Sequence, residues 1–296
     1  MSISRYSSLS LMKMKVLTEA TVQRFLRLYQ RSFQLLKGPF RTVEAYVEAI
    51  DLKPLVNESG FTFLVNNGVD NVTVNELSDS ITQGTYGQQV TQLHAVMTMV
   101  AMAGRGNSIK GGNYKIFDIR DEITKVDYVQ QHVTLFTTNA THLGSSYMKM
   151  ATPLSLLVTR YLERQNGTKV LNLDVEAMSF SKVLYPRKER LVKLFSPIYL
   201  DDSKLAEIVD GKANVGWVYR KMWHAYPRAP PKNDTIFPAI NPDEGLYYVN
   251  AFESFISTME SQCLAAHNII RLLLADYGYD EKATTLADDY WIDTTN

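Results

Sequence analysis

Two segments decide how this chain is read: Lys182-Val-Leu-Tyr-Pro-Arg-Lys-Glu-Arg-Leu-Val-Lys193 and Gly216-Trp-Val-Tyr-Arg-Lys-Met-Trp-His-Ala-Tyr-Pro-Arg228. Each mixes cations with aromatic rings. Residues 211–232 hold five Lys or Arg and no Asp or Glu, and two of the three tryptophans lie among them. Cations suit phosphates and flat π-faces suit bases, so the composition is that of a surface for a single-stranded nucleic acid. On that reading the contacts are Lys182, Tyr185, Arg187, Lys188, Arg190 and Lys193 in the first segment, and Arg220, Lys221, Trp223, Tyr226 and Arg228 in the second. Trp223 and Tyr226 then stack on bases while Trp217 packs inside. A plainer reading stands beside it: Trp217, Tyr219 and Trp223 are core residues and the charges are solvated.

Outward from these segments the charge is uneven. The 296 residues carry a formal net charge of zero, which argues against a histone-like binder but leaves room for a local basic groove. Residues 1–41 are strongly basic, with Glu19 their one acidic side chain, and residues 276–296 are acidic. Opposite-charged ends suit an intramolecular clasp or a head-to-tail contact between copies. A hydrophobic content of 45% fits a globular chain with a core of its own. The single cysteine, Cys263, excludes an internal disulfide framework and fits a reducing, cytoplasmic compartment. No apolar run approaches the roughly 20 residues of a membrane span.

Residues 1–15 read as a flexible basic arm. A helix with Thr18 as its cap follows, with apolar residues from Val22 to Leu36 at helical spacing and a stop at Gly38-Pro39. Arg24, Arg27 and Arg31 share its other face, solvated or set against phosphates. Thr42 caps a second short helix. Phe61-Thr-Phe-Leu-Val65 and Val72-Thr-Val74 flank Asn66-Asn67-Gly68, a hairpin signal. Residues 87–103 read as a buried helix, and 114–119 and 132–137 as strands. A helical region over residues 140–165 places Arg160 and Arg164 together. Five prolines from Pro227 to Pro242 make an extended strap. A last helix over 249–277 carries Phe252, Phe255, Ile256, Met259, Cys263, Ala266, Ile270 and Leu273 as one apolar stripe. The expected fold is mainly α with a minor β component, an α+β chain. Its parts are an arm (1–15), two helical lobes (16–170 and 171–278) and an acidic tail (279–296).

Catalytic signatures are missing. No His-Glu-x-x-His, Gly-x-Ser-x-Gly or Gly-x-Gly-x-x-Gly occurs. Cys263 and His267 share a helix face but have no evident third ligand, so no metal is expected, and no cofactor. The glycine-rich loop 104–112 lacks Walker spacing; its Arg105 and Lys110 suit phosphates.

The layout resembles that of nucleocapsid or coat proteins of RNA viruses: helical lobes, exchanged terminal arms and a positive groove. The resemblance is one of pattern over the whole chain and transfers no residue. It implies a self-assembling structural protein, not an enzyme, that coats single-stranded RNA in the cytoplasm or a virion. Copies would join through Leu11 and Met14 of the arm and Tyr290, Trp291 and Ile292 of the tail. Two other expectations remain open: an enzyme acting on nucleotides through loop 104–112, or an adaptor binding protein through Trp217, Trp223 and the proline strap.

Overall fold

The apolar stretch 95–103 is hydrophobic on every side, and such a helix has to be surrounded. In a computed structural model, which describes residues 6–103, 126–141, 156–158, 177–180, 188–232 and 237–279, it is. This helix follows six others: α1 (Ser8–Leu26), α2 (Arg31–Lys37), α3 (Val43–Ala49), α4 (Lys53–Asn57), α5 (Gly60–Asn66) and α6 (Asp79–Tyr86). The central one is α7 (Ala95–Ala103), and Ala95, Val96, Met97, Thr98, Met99 and Ala101 are all buried. On one side of it Thr18 of α1 donates to the Met99 sulfur. On another, α5 approaches so closely that a Cβ at Gly60 would stand 2.1 Å from Thr98 Oγ1. Gly60→Ala is therefore expected to cost about 1–3 kcal/mol by overpacking, read as a lowered urea midpoint; wild-type stability in that variant would mean α5 and α7 are not in contact.

Among the described residues five strands follow: β1 (Tyr128–Thr138), β2 (Leu156–Val158), β3 (Ala177–Phe180), β4 (Arg190–Ser196) and β5 (Val215–Pro227), with α8 (Asp202–Ile208) before the last. They form one antiparallel sheet in the order β2-β3-β4-β1-β5. Alternate side chains take opposite faces. One face carries Phe136, Val192, Leu194 and Val218 and is covered by Leu205, Ile208 and Val209 in and just after α8. Asp201 caps α8 by accepting the Lys204 amide.

The chain then returns to the helices. A 3-10 turn (Val249–Ser254) leads to α9 (Met259–Asp276), whose Thr258 and Ser261 form a reciprocal capping box. Phe237, Ile240, Phe252, Phe255, Ile256, Leu264 and Leu272 share one core with Phe25, Tyr46, Val47, Leu64 and Met99. Residues before 104 and after 236 thus build a single helical body, with the sheet inserted between them. The lobe boundary expected near residue 170 lies outside the described residues. Among the described residues no helix is long and apolar enough to cross a membrane.

Several local expectations change. The arm through residue 15 is in α1 from Ser8, and Thr18 is buried inside that helix rather than capping one. The hairpin over 61–74 is α5 followed by a π-helical turn (Thr73–Ser78). Ser59 caps α5 through the Thr62 amide, and Gly68, at φ +78°, takes the left-handed exit after it. The helix over 140–165 holds strand β2 at 156–158. The helix over 249–277 breaks before Thr258, and Met259, Cys263, Ile270 and Leu273 of its supposed core stripe are exposed. Loop 104–112, the strand over 114–119 and the acidic tail lie outside the described residues.

Candidate functional site

On the second face of the sheet, where among the described residues no helix packs as α8 does on the first, apolar side chains and cations meet. Strand register builds it in rows. Phe195, Val133 and Lys221 stand side by side on β4, β1 and β5. Lys193, Leu135 and Tyr219 form the next row, and Leu191 faces Thr137 beyond it. Trp217 and Tyr219, two apart on β5, stack with centroids 6.1 Å apart and planes within 7°. Both are about half exposed, Trp217 at 55% and Tyr219 at 46%. Val133, Leu135, Leu191 and Phe195 are half-buried.

Lys193 sits in the middle of this face. Its ammonium lies 4.5 Å from the centre of the Phe195 ring. Burial pulls its pKa below the usual lysine value, and among the described residues no carboxylate pairs with it. Arg220, on the α8 side of the sheet, is different. Its guanidinium donates to the Leu200 carbonyl at 2.7 Å and to Asp202 Oδ1 at 2.5 Å, and lies over the Tyr199 ring.

One end of the face is closed by the helical body. Gln131 pairs with Trp223 in register, and a Cβ at Gly87, which ends α6, would lie 3.3 Å from Val129 Cγ1. Gln88 fixes the joint by donating to the Pro227 carbonyl and accepting from the Ala229 amide. The His94 amide donates to the Ala229 carbonyl at 2.9 Å. Among the described residues no group of His, Cys, Asp or Glu side chains is placed to hold a metal.

The residues proposed for nucleic acid are scattered. Arg24 and Arg27 hold the Asp51 carbonyl and carboxylate in the helical body; Arg31 opens α2. Lys188 and Arg228 are exposed at opposite ends of the sheet region, and Arg190 starts β4. Lys193 and Lys221 share one face and Arg220 takes the other. Tyr226 is buried edge-to-face against Tyr86, with Trp223 packed beside it, while Trp217 is the exposed indole. The burial expected of the two tryptophans is therefore reversed. Leu11 and Met14 lie in α1, and Met14 is core. Arg105, Lys110, Arg160, Arg164, Lys182, Tyr185, Arg187, Tyr290, Trp291 and Ile292 lie outside the described residues. The residue reading missed Val133, Leu135, Leu191 and Phe195; the period-2 pattern of β1 and β4, read across both strands, was the signal available.

A family model described as prenylcysteine lyase matches residues 3–147 and, overlapping it, 118–288. The chain belongs to the prenylcysteine lyase family. It is also similar to a farnesylcysteine lyase of Arabidopsis thaliana, 28% identical over a 321-residue alignment that covers 91% of this chain and 62% of that protein. The chain thus spans about three-fifths of the length of that relative. These matches replace the nucleocapsid reading. Membership of an enzyme family overturns the expectation of a non-enzymatic RNA coat, of RNA as partner and of assembly through exchanged arms. It equally gives no support to an enzyme working on nucleotides through loop 104–112. Resemblance of charge layout misled because cations and aromatic rings also alternate along an ordinary antiparallel strand such as β5.

Proposed function

We propose that this chain binds a prenylcysteine, a thioether joining an isoprenoid to the sulfur of cysteine, as the substrate-holding part of a lyase that parts the two. The observation that carries this is the family match, which runs through the helical body and the sheet alike. The sheet face supports it physically. An isoprenoid is a branched hydrocarbon with double bonds, and its transfer from water is favoured by roughly 25 cal/mol per Å² of apolar surface covered. Val133, Leu135, Leu191 and Phe195 supply aliphatic and aromatic surface, and the Trp217–Tyr219 stack supplies an exposed rim.

The test uses the purified full-length chain with S-farnesylcysteine. Binding is followed by equilibrium dialysis and by tryptophan fluorescence, and cleavage by the appearance of free cysteine thiol. The thioether is expected to bind, to shift the emission of Trp217, and to lose that optical signal but not its binding in Trp217→Phe. A folded chain that neither binds nor cleaves S-farnesylcysteine would overturn the reading.

A further inference from the structure

We infer that Lys193 fixes the amino-acid end of the substrate, its ammonium taking the α-carboxylate of a prenylcysteine whose hydrocarbon chain lies on Leu135, Phe195 and Val133. The inference rests on the proposed function and names the residue that sets selectivity within it. A half-buried lysine is ordinarily accounted for by a carboxylate or by its tip reaching water. Lys193 is held on the sheet face with Leu191 and Phe195 on its own strand and Leu135 opposite it. Its ammonium rests against a ring, and no carboxylate among the described residues pairs with it. A cation partly stripped of water gains most from an anion that arrives with its own apolar cover. A prenylcysteine has that form, with one carboxylate at the end of a long hydrocarbon.

The placement also orients the ligand. Successive residues on one face of a strand are roughly 7 Å apart. Leu135, Val133 and Gln131 therefore lead from the Lys193 row down to Trp223 and the helical body, which closes that end. Two other described cations of the sheet are less suited to the carboxylate. Arg220 lies on the opposite face, tied to Asp202 and the Leu200 carbonyl, and Lys221 is exposed.

The experiment compares S-farnesyl-L-cysteine with its methyl ester by equilibrium dialysis on the full-length chain. Wild type is expected to bind the acid about tenfold to a hundredfold more tightly than the ester, the range of one charge-assisted hydrogen bond. Lys193→Met should bring the acid down to the ester's affinity and leave the ester nearly unchanged, and Lys193→Arg should keep the preference. Far-UV circular dichroism confirms that both variants are folded. Equal binding of acid and ester by wild type, or an acid preference that survives Lys193→Met, overturns the inference and leaves the proposed function standing. If neither compound binds wild type, the proposed function falls and takes the inference with it.

Discussion

Between pH 6.5 and pH 4.5 the protein is expected to lose about 2 kcal/mol of stability through one imidazole. His94 is fully buried at the start of α7, where its Nδ1 accepts the Met97 amide. Burial, and then the nearby positive charge of Lys232, pull its pKa from 6.5 down to about 3. The folded state therefore keeps His94 neutral while the unfolded chain takes up a proton below about pH 6.5. The stabilisation is complete about one unit above that pH and drains away as pH falls toward 3, at up to about 1.4 kcal/mol per pH unit. Urea midpoints at the two pH values read this directly. His94→Asn keeps a side-chain acceptor for the cap but cannot take up a proton, so it should be less stable than wild type at neutral pH and should lose less on acidification. An unchanged acid slope in that variant would assign the loss to other groups.

Phe255→Ala is expected to cost about 3–5 kcal/mol, a large fraction of the 5–15 kcal/mol by which domains are usually stable. Phe255 is fully buried, and its ring meets Phe25 of α1, Phe237 of the returning chain and Phe252 of the 3-10 turn. Removing it empties the point where the two parts of the helical body join. Ile270→Ala on α9 is the contrast. Ile270 is 57% exposed, so its loss should change stability by no more than about 0.5 kcal/mol. Equal effects from the two substitutions would mean that the residues do not differ in burial as described.

The sequence reading placed local stops well and faces poorly. Thr42 was legible as a cap and does accept the Ala45 amide, because a cap is a property of a few neighbouring residues. The run around Phe61 and Phe63 was illegible as a helix. Aromatic and β-branched residues at alternate positions also suit a strand, and Asn66-Asn67-Gly68 ends a helix as readily as it turns a hairpin. Along α9 the error was one of side. Polar Asn268 and Arg271 are buried because Asn268 holds both backbone groups of Phe40, at 2.8 Å each, and Arg271 donates to Gln34 at 2.9 Å. Those partners lie more than 200 residues away in the chain, and no window on α9 reveals them. The candidate site was half legible for the same reason. Lys193 and Trp217 were named from composition, but the row that sets Lys193 beside Leu135 and Tyr219 depends on a register between strands some 60 to 80 residues apart.

A core closed by segments so far apart has a consequence for the chain as it is made. Tyr46, Val47, Leu64 and Met99 leave the ribosome early, and the residues that cover them, from Phe237 to Leu272, leave late. About 140 residues separate Met99 from Phe237, which at roughly 5–20 residues per second is a delay of roughly 7 to 28 seconds. Throughout it the first helices hold an apolar surface open to solvent, within reach of chaperones and proteases. Chains released before residue 237 lack the side chains that complete this core.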